Sequence, residues 1–158
     1  MAMNRAGADA ETTYVRGDAE PWIPFAPLSH RVRMRYHRID PVEGQIVASL
    51  RLPARVGSAA LYHTGPVIAH TISGAWRYRE QGWISRAGDT VYEVAGSTHT
   101  AESLGDEETI VFLVVTGEFL FFDDGGSLVW QENWRTSMER RAEYLSRHTR
   151  GSVSGTAY

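Results

Sequence analysis

Between Arg31 and Trp130 the chain alternates polar and apolar residues in short stretches, each ended by a glycine-bearing turn. Val32, Met34 and Tyr36 alternate with Arg31, Arg33, Arg35 and His37, while Ile46, Ala48, Leu50 and Leu52 alternate with Gln45, Ser49 and Arg51. A two-residue period puts one face of a strand in a core. Runs 67–73, 75–80, 90–94, 109–115, 118–122 and 128–131 extend the series. Turn signals separate them: Gly65-Pro66, Gly82, Gly88-Asp89, Gly96-Ser97, Gly105-Asp106 and Gly125-Gly126. Many short strands with dense turns predict a sandwich or barrel. Runs 109–115 and 119–122 are apolar at consecutive positions, which predicts burial on both faces, inside a double-sheet barrel or at a subunit contact.

The ends read differently. Residues 1–20 are mostly small and polar and are expected to form a flexible arm. Pro21, Pro24 and Pro27 exclude a helix or a central strand, so this segment should lie extended on the domain or on a partner subunit. One helix is expected near the C-terminus, capped by Asn133, with Trp134, Met138, Ala142 and Leu145 on its apolar face. Residues 149–158 are expected to be disordered. With 158 residues and no repeat or linker, the chain reads as one all-β domain over 21–148, closed by that helix.

Composition removes most chemistries. All 16 basic residues are Arg and there is no Cys. Without Lys, neither a Schiff base nor a Walker-type phosphate lysine is available. Without Cys there are no disulfides, thiol nucleophiles or cysteine-held clusters. A net charge of −3 gives no basic field for nucleic acid or an anionic membrane. No apolar run approaches ~18 residues, and the N-terminus lacks a signal-like apolar core, so a cytoplasmic location is expected. Catalysis would have to use His, carboxylates, hydroxyls, Arg or a metal.

Of six histidines, His30, His37 and His148 lie in polar, Arg-rich surroundings and read as exposed. His63 and His99 stand beside turn glycines in the strand-rich region, where barrel folds place ligands at the mouth. In run 75–80, Trp76, Tyr78 and Glu80 share one face. Extended to its last residue, that alternation turns Glu80 inward; Glu93, between Tyr92 and Val94, is a second inward candidate. A buried carboxylate must be paired or hold a cation. Two His and one carboxylate match the facial arrangement of non-haem Fe(II) oxygenases.

These residues carry a resemblance. Residues 61–74 follow the frame of the first cupin motif, H-x-H-x-x-x-E-x-x-x-x-x-x-G, and residues 88–99 follow the second, G-x-x-x-x-x-P-x-G-x-x-H. With segments 21–27, 74–80, 120–125 and 133–136, the chain resembles the 2,4′-dihydroxyacetophenone dioxygenase family of ChrR-like cupins. The resemblance implies a homo-oligomeric double-stranded β-helix (jelly-roll) barrel, a homodimer or higher, holding Fe(II). It implies an enzyme that uses O2 to cleave the carbon–carbon bond beside the carbonyl of an aromatic hydroxyketone. By position it implies metal ligands His63, His99 and Glu80. Trp76, Tyr78 and Tyr92 would then pack the substrate ring, and with no Lys or Cys in the chain an Arg would be the permanent cation to steady its enolate. The sequence departs from the motifs at Leu61 and Val67, the usual first-His and Glu positions, and at Val94, the usual Pro. His70 falls on the opposite face from Val67 and replaces neither. The departures leave two alternatives: a metal-poor, non-catalytic cupin that binds or senses a small molecule, and a β-scaffold acting through oligomerisation.

Overall fold

The alternation is realised strand by strand. The computed structural model describes residues 12–150. Along the chain run β1 (Ile23–Pro24), β2 (Arg33–Asp40), β3 (Gln45–Leu52), β4 (Ala60–His63), β5 (Val67–Ser73), β6 (Ala75–Tyr78) and β7 (Ser85–Arg86). They are followed by β8 (Thr90–Glu93), β9 (Thr98–His99), β10 (Ala101–Leu104), β11 (Thr109–Thr116), β12 (Phe119–Phe122), β13 (Leu128–Glu132) and the helix α1 (Trp134–Arg150). The sheets have orders β1-β2-β3-β11-β5-β8, β10-β6-β7 and β13-β12-β4-β9. Their inward residues, among them Met34, Ala48, Leu61, Val67, Trp76, Val111 and Phe121, form one core cluster.

β11 pairs antiparallel with both β3 and β5 at the centre of the large sheet. Thr109, Val111, Leu113 and Val115 are buried inward, while Ile110, Phe112 and Val114 are half-buried. The expected burial on both faces is thus partial, with Phe112 on the outer face packed against His37 at 5.8 Å. His70 faces outward as its spacing required, its Nδ1 within 2.9 Å of Thr90 Oγ1.

The proline-rich segment forms an edge strand, Ile23 opposite Met34. Within the expected arm, Glu20 pairs with Arg141 of the helix, and the Gly17 carbonyl accepts a bond from Arg35. Residues 1–11 and 151–158, the rest of the expected arm and most of the expected tail, lie outside the described residues.

Asn133 caps α1, its Oδ1 accepting from the amides of Arg135 (2.9 Å) and Thr136 (3.1 Å). The docked face differs from the one the apolar spacing picks. Met138 is 45% exposed and Ala142 is exposed. Ser137 is fully buried and Arg140 reaches the barrel instead. The Arg140 guanidinium binds both oxygens of Glu132, which is also held by Ser137 Oγ (2.7 Å) and Trp130 Nε1 (2.8 Å). A buried, hydrogen-bonded ion pair, beside Trp134 and Tyr144 packed against the core, therefore docks the helix.

Candidate metal centre

His63 ends β4, where three backbone bonds fix the chain. Its amide donates to the Ser97 carbonyl (3.0 Å), its carbonyl accepts from the Gly96 amide (2.7 Å), and the Thr64 amide donates to the Glu118 carbonyl (3.0 Å). The following turn needs glycine, because a Cβ on Gly65 would lie 2.1 Å from the Thr116 carbonyl oxygen. β9 brings His99 directly opposite Leu61, two residues from His63 on the same strand face. β8 pairs with β5 so that Glu93 stands directly opposite Val67. The carboxylate absent from position 67 is thus presented from the neighbouring strand.

His63, Glu93 and His99 offer ligand atoms that all lie within 4.8 Å of one another. His63 is 2% and Glu93 4% exposed. His63 Nε2 and Glu93 Oε2 approach to 2.9 Å, yet their geometry is not that of a hydrogen bond, and both nitrogens of His63, Glu93 Oε2 and His99 Nδ1 have no hydrogen-bond partner. Buried polar atoms without partners are costly, and several converging on one point are a donor set suited to a cation. Burial lowers the His99 pKa, opposed by the Glu93 charge and reinforced by His63. A neutral imidazole is the form that binds metal. Two imidazoles and a carboxylate suit a divalent transition metal such as iron.

Aromatic side chains enclose the cluster. Tyr78 donates its hydroxyl to Glu93 Oε1, and its ring stacks on His99 with centroids 4.1 Å apart. Phe119 meets His63 edge to face at 4.6 Å. The cluster opens on an apolar cavity of about 190 Å³ lined by Leu61, Trp76, Tyr78, Phe119 and Phe121, with Glu132 among its few polar residues.

The sequence-predicted residues divide. His63, His99 and the second carboxylate candidate, Glu93, come together; Glu80 stands apart. β6 ends at Tyr78, so the two-residue period does not reach Glu80. That side chain is exposed, its Oε2 accepting from the Thr100 amide at 3.0 Å. Trp76 and Tyr78 line the cavity as expected. Tyr92 does not: it is 65% exposed, because neighbours on a strand face opposite ways and Glu93 faces in. Among the described residues no arginine lines the cavity, so the expected Arg beside an enolate is not found. The nearest in role, Arg140, is engaged by Glu132 and lies over the Phe25 ring.

Mostly β-sheet and closed by one C-terminal helix, the fold is that of a cupin. The chain belongs to the ChrR cupin-like domain family, whose description matches residues 10–120. It is similar to the structure of an RmlC-like cupin protein from Ralstonia eutropha, with 41% identity and a TM-score of 0.85, covering 88% of this chain and 90% of that one. An acetylacetone dioxygenase from Acinetobacter johnsonii is 19% identical, with a TM-score of 0.75 over 90% of this chain and 99% of that one. Rhodobacter sphaeroides SigE in complex with the anti-sigma ChrR matches at 18% identity and a TM-score of 0.53, over 63% of this chain and 51% of that one. The last two share the fold. No curated protein matches the chain significantly. No helix among the described residues is long and apolar enough to cross a membrane.

Proposed function

We propose that this protein is a mononuclear non-haem metal oxygenase, with His63, Glu93 and His99 as its metal ligands. The observation that carries the reading is the set of converging ligand atoms, within 4.8 Å of one another and several of them buried without a hydrogen-bond partner, at an apolar cavity. Fe(II) is the metal that the resemblance implies; bound there, it offers open positions for a substrate oxygen and for O2. Leu61, at the usual ligand position, supplies no donor and leaves room for the substrate.

The cavity suits a small, neutral, single-ring molecule. Its roughly 190 Å³ exceeds the ~150 Å³ of an apolar protein cavity that binds benzene. Trp76, Tyr78 and Phe119 pack the ring. Among the described residues no arginine lines the cavity to pair with a ligand carboxylate, since Arg140 is engaged by Glu132. A ketone carbonyl meets the metal without adding a negative charge of its own. The proposed reaction is cleavage of the carbon–carbon bond beside that carbonyl, with 2,4′-dihydroxyacetophenone as first test substrate. One atom of O2 then enters each carboxylic acid product.

The test is anaerobic loading with Fe(II), followed by an oxygen electrode and mass spectrometry under 18O2. The expected result is O2 uptake matching ketone loss, with one labelled atom in each acid. Protein that binds the ketone without retaining iron would instead support the metal-poor, non-catalytic reading, which the aliphatic residues at positions 61 and 67 favour, and iron-loaded protein that consumes no O2 with the ketone would overturn the oxygenase reading.

A further inference from the structure

Glu93 has two oxygens in two different situations. Oε1 accepts the Tyr78 hydroxyl, whereas Oε2 faces His63 and has no hydrogen-bond partner. The same tyrosine lies flat against His99, with 12° between the rings. Two of the three candidate ligands are therefore set by one side chain that is not itself a ligand.

That side chain is held from behind. Tyr78 is 4% exposed and meets Trp76 edge to face at 5.1 Å and Trp83 at 5.7 Å. Trp76 is fixed in turn by its Nε1–H, which donates to Thr71 Oγ1 at 2.8 Å, and Thr71 Oγ1 lies 2.6 Å from Ser85 Oγ. Thr71, Trp76, Tyr78 and Ser85 are buried on β5, β6 and β7, and Trp83 is half-buried in the turn between β6 and β7.

We propose that Tyr78 is the positioning residue of the metal centre: its hydroxyl occupies one oxygen of Glu93 so that the carboxylate presents only the other, while its ring sets the plane of His99. This rests on the metal reading given above. A carboxylate with one oxygen held by a buried donor binds an ion through a single atom. With one nitrogen from each histidine, three positions are taken and the rest stay open to substrate and O2. Without the hydroxyl, both oxygens are free to turn to the ion, closing one of those positions.

The experiment uses Co(II), whose visible spectrum reports coordination number, with the full-length protein, Tyr78→Phe and Tyr78→Leu. Tyr78→Phe keeps the ring stack and removes only the hydroxyl. It is expected to lower Co(II) affinity about 10–100-fold, the range for loss of a bond to a ligand, and to change the cobalt bands toward higher coordination. Tyr78→Leu removes both contacts and should lower affinity further. Denaturant unfolding in chelator checks that each variant is folded. If Tyr78→Leu fails to fold, the Tyr78→Phe spectrum decides alone. Wild-type affinity and an unchanged spectrum in folded Tyr78→Phe overturn the positioning role and leave the metal reading standing. Wild-type protein that binds no Co(II) overturns both.

Discussion

Replacing Leu61 by His probes the frame of the centre. Leu61 is 7% exposed, stands opposite His99 on the β4–β9 ladder, and shares its face with His63. Directly opposed residues have Cβ atoms roughly 5 Å apart, and successive residues on one strand face are about 6.6 Å apart. An imidazole at position 61 is therefore within reach of the point on which His63 and His99 converge. One added ligand should raise Zn(II) or Fe(II) affinity at least about tenfold, or ~1.4 kcal/mol. In chelator the same ring replaces an apolar group and finds no partner, which should cost about 1–3 kcal/mol. For a domain of this size, that lowers the melting temperature by roughly 2–12 °C. The assay is a thermal melt in chelator and in excess Zn(II), beside a competitive metal titration. The expected pattern is a depressed melt in chelator that recovers with metal, and Leu61→His/His63→Ala should lose the recovery. Equal melts with and without metal, and no gain in affinity, would show that Leu61 does not face the site.

Two further outcomes follow from the surroundings. Glu132→Gln leaves Arg140 buried beside an uncharged partner and should destabilise the fold by about 3–5 kcal/mol, whereas Glu132→Leu/Arg140→Leu should cost less than the single change. A single-variant loss below about 1 kcal/mol in denaturant titration contradicts the ion-pair account of helix docking. Burial, followed by the positive charge of Arg35, lowers the His37 pKa in the folded protein. The unfolded chain then takes up the proton first, so stability should fall as pH drops from the ordinary imidazole value through the lowered folded one. His37→Gln should show a smaller drop in melting temperature than wild type between about pH 7.5 and about pH 5.5, and equal drops would exclude this role for His37.

What was legible in the sequence follows the range of the interactions. The long strands and the cap at Asn133 rest on local alternation and local hydrogen bonding, and both appear as expected. The short strands β4, β7, β9 and β10 have only two to four residues, too few to show a period, and exist through pairing with distant strands. His63 and His99 were legible because motif spacing fixed them. The carboxylate was not settled, because its place depends on two non-local facts. β6 stops at Tyr78, releasing Glu80 to the surface, and the β5–β8 register brings Glu93 against Val67. Tyr92 follows from the same choice, since Glu93 inward means Tyr92 outward. The helix face escaped apolar counting because Ser137 and Arg140 are buried by their bonds to Glu132.

The central claim is that Glu93, with His63 and His99, holds a divalent metal. The most direct test is metal content by mass spectrometry after Fe(II) loading and desalting, for wild type, Glu93→Gln and Glu80→Gln. Wild type and Glu80→Gln should each retain a single equivalent of iron, while Glu93→Gln retains little. Equal iron in Glu93→Gln and wild type, or loss of iron in Glu80→Gln alone, would contradict the assignment.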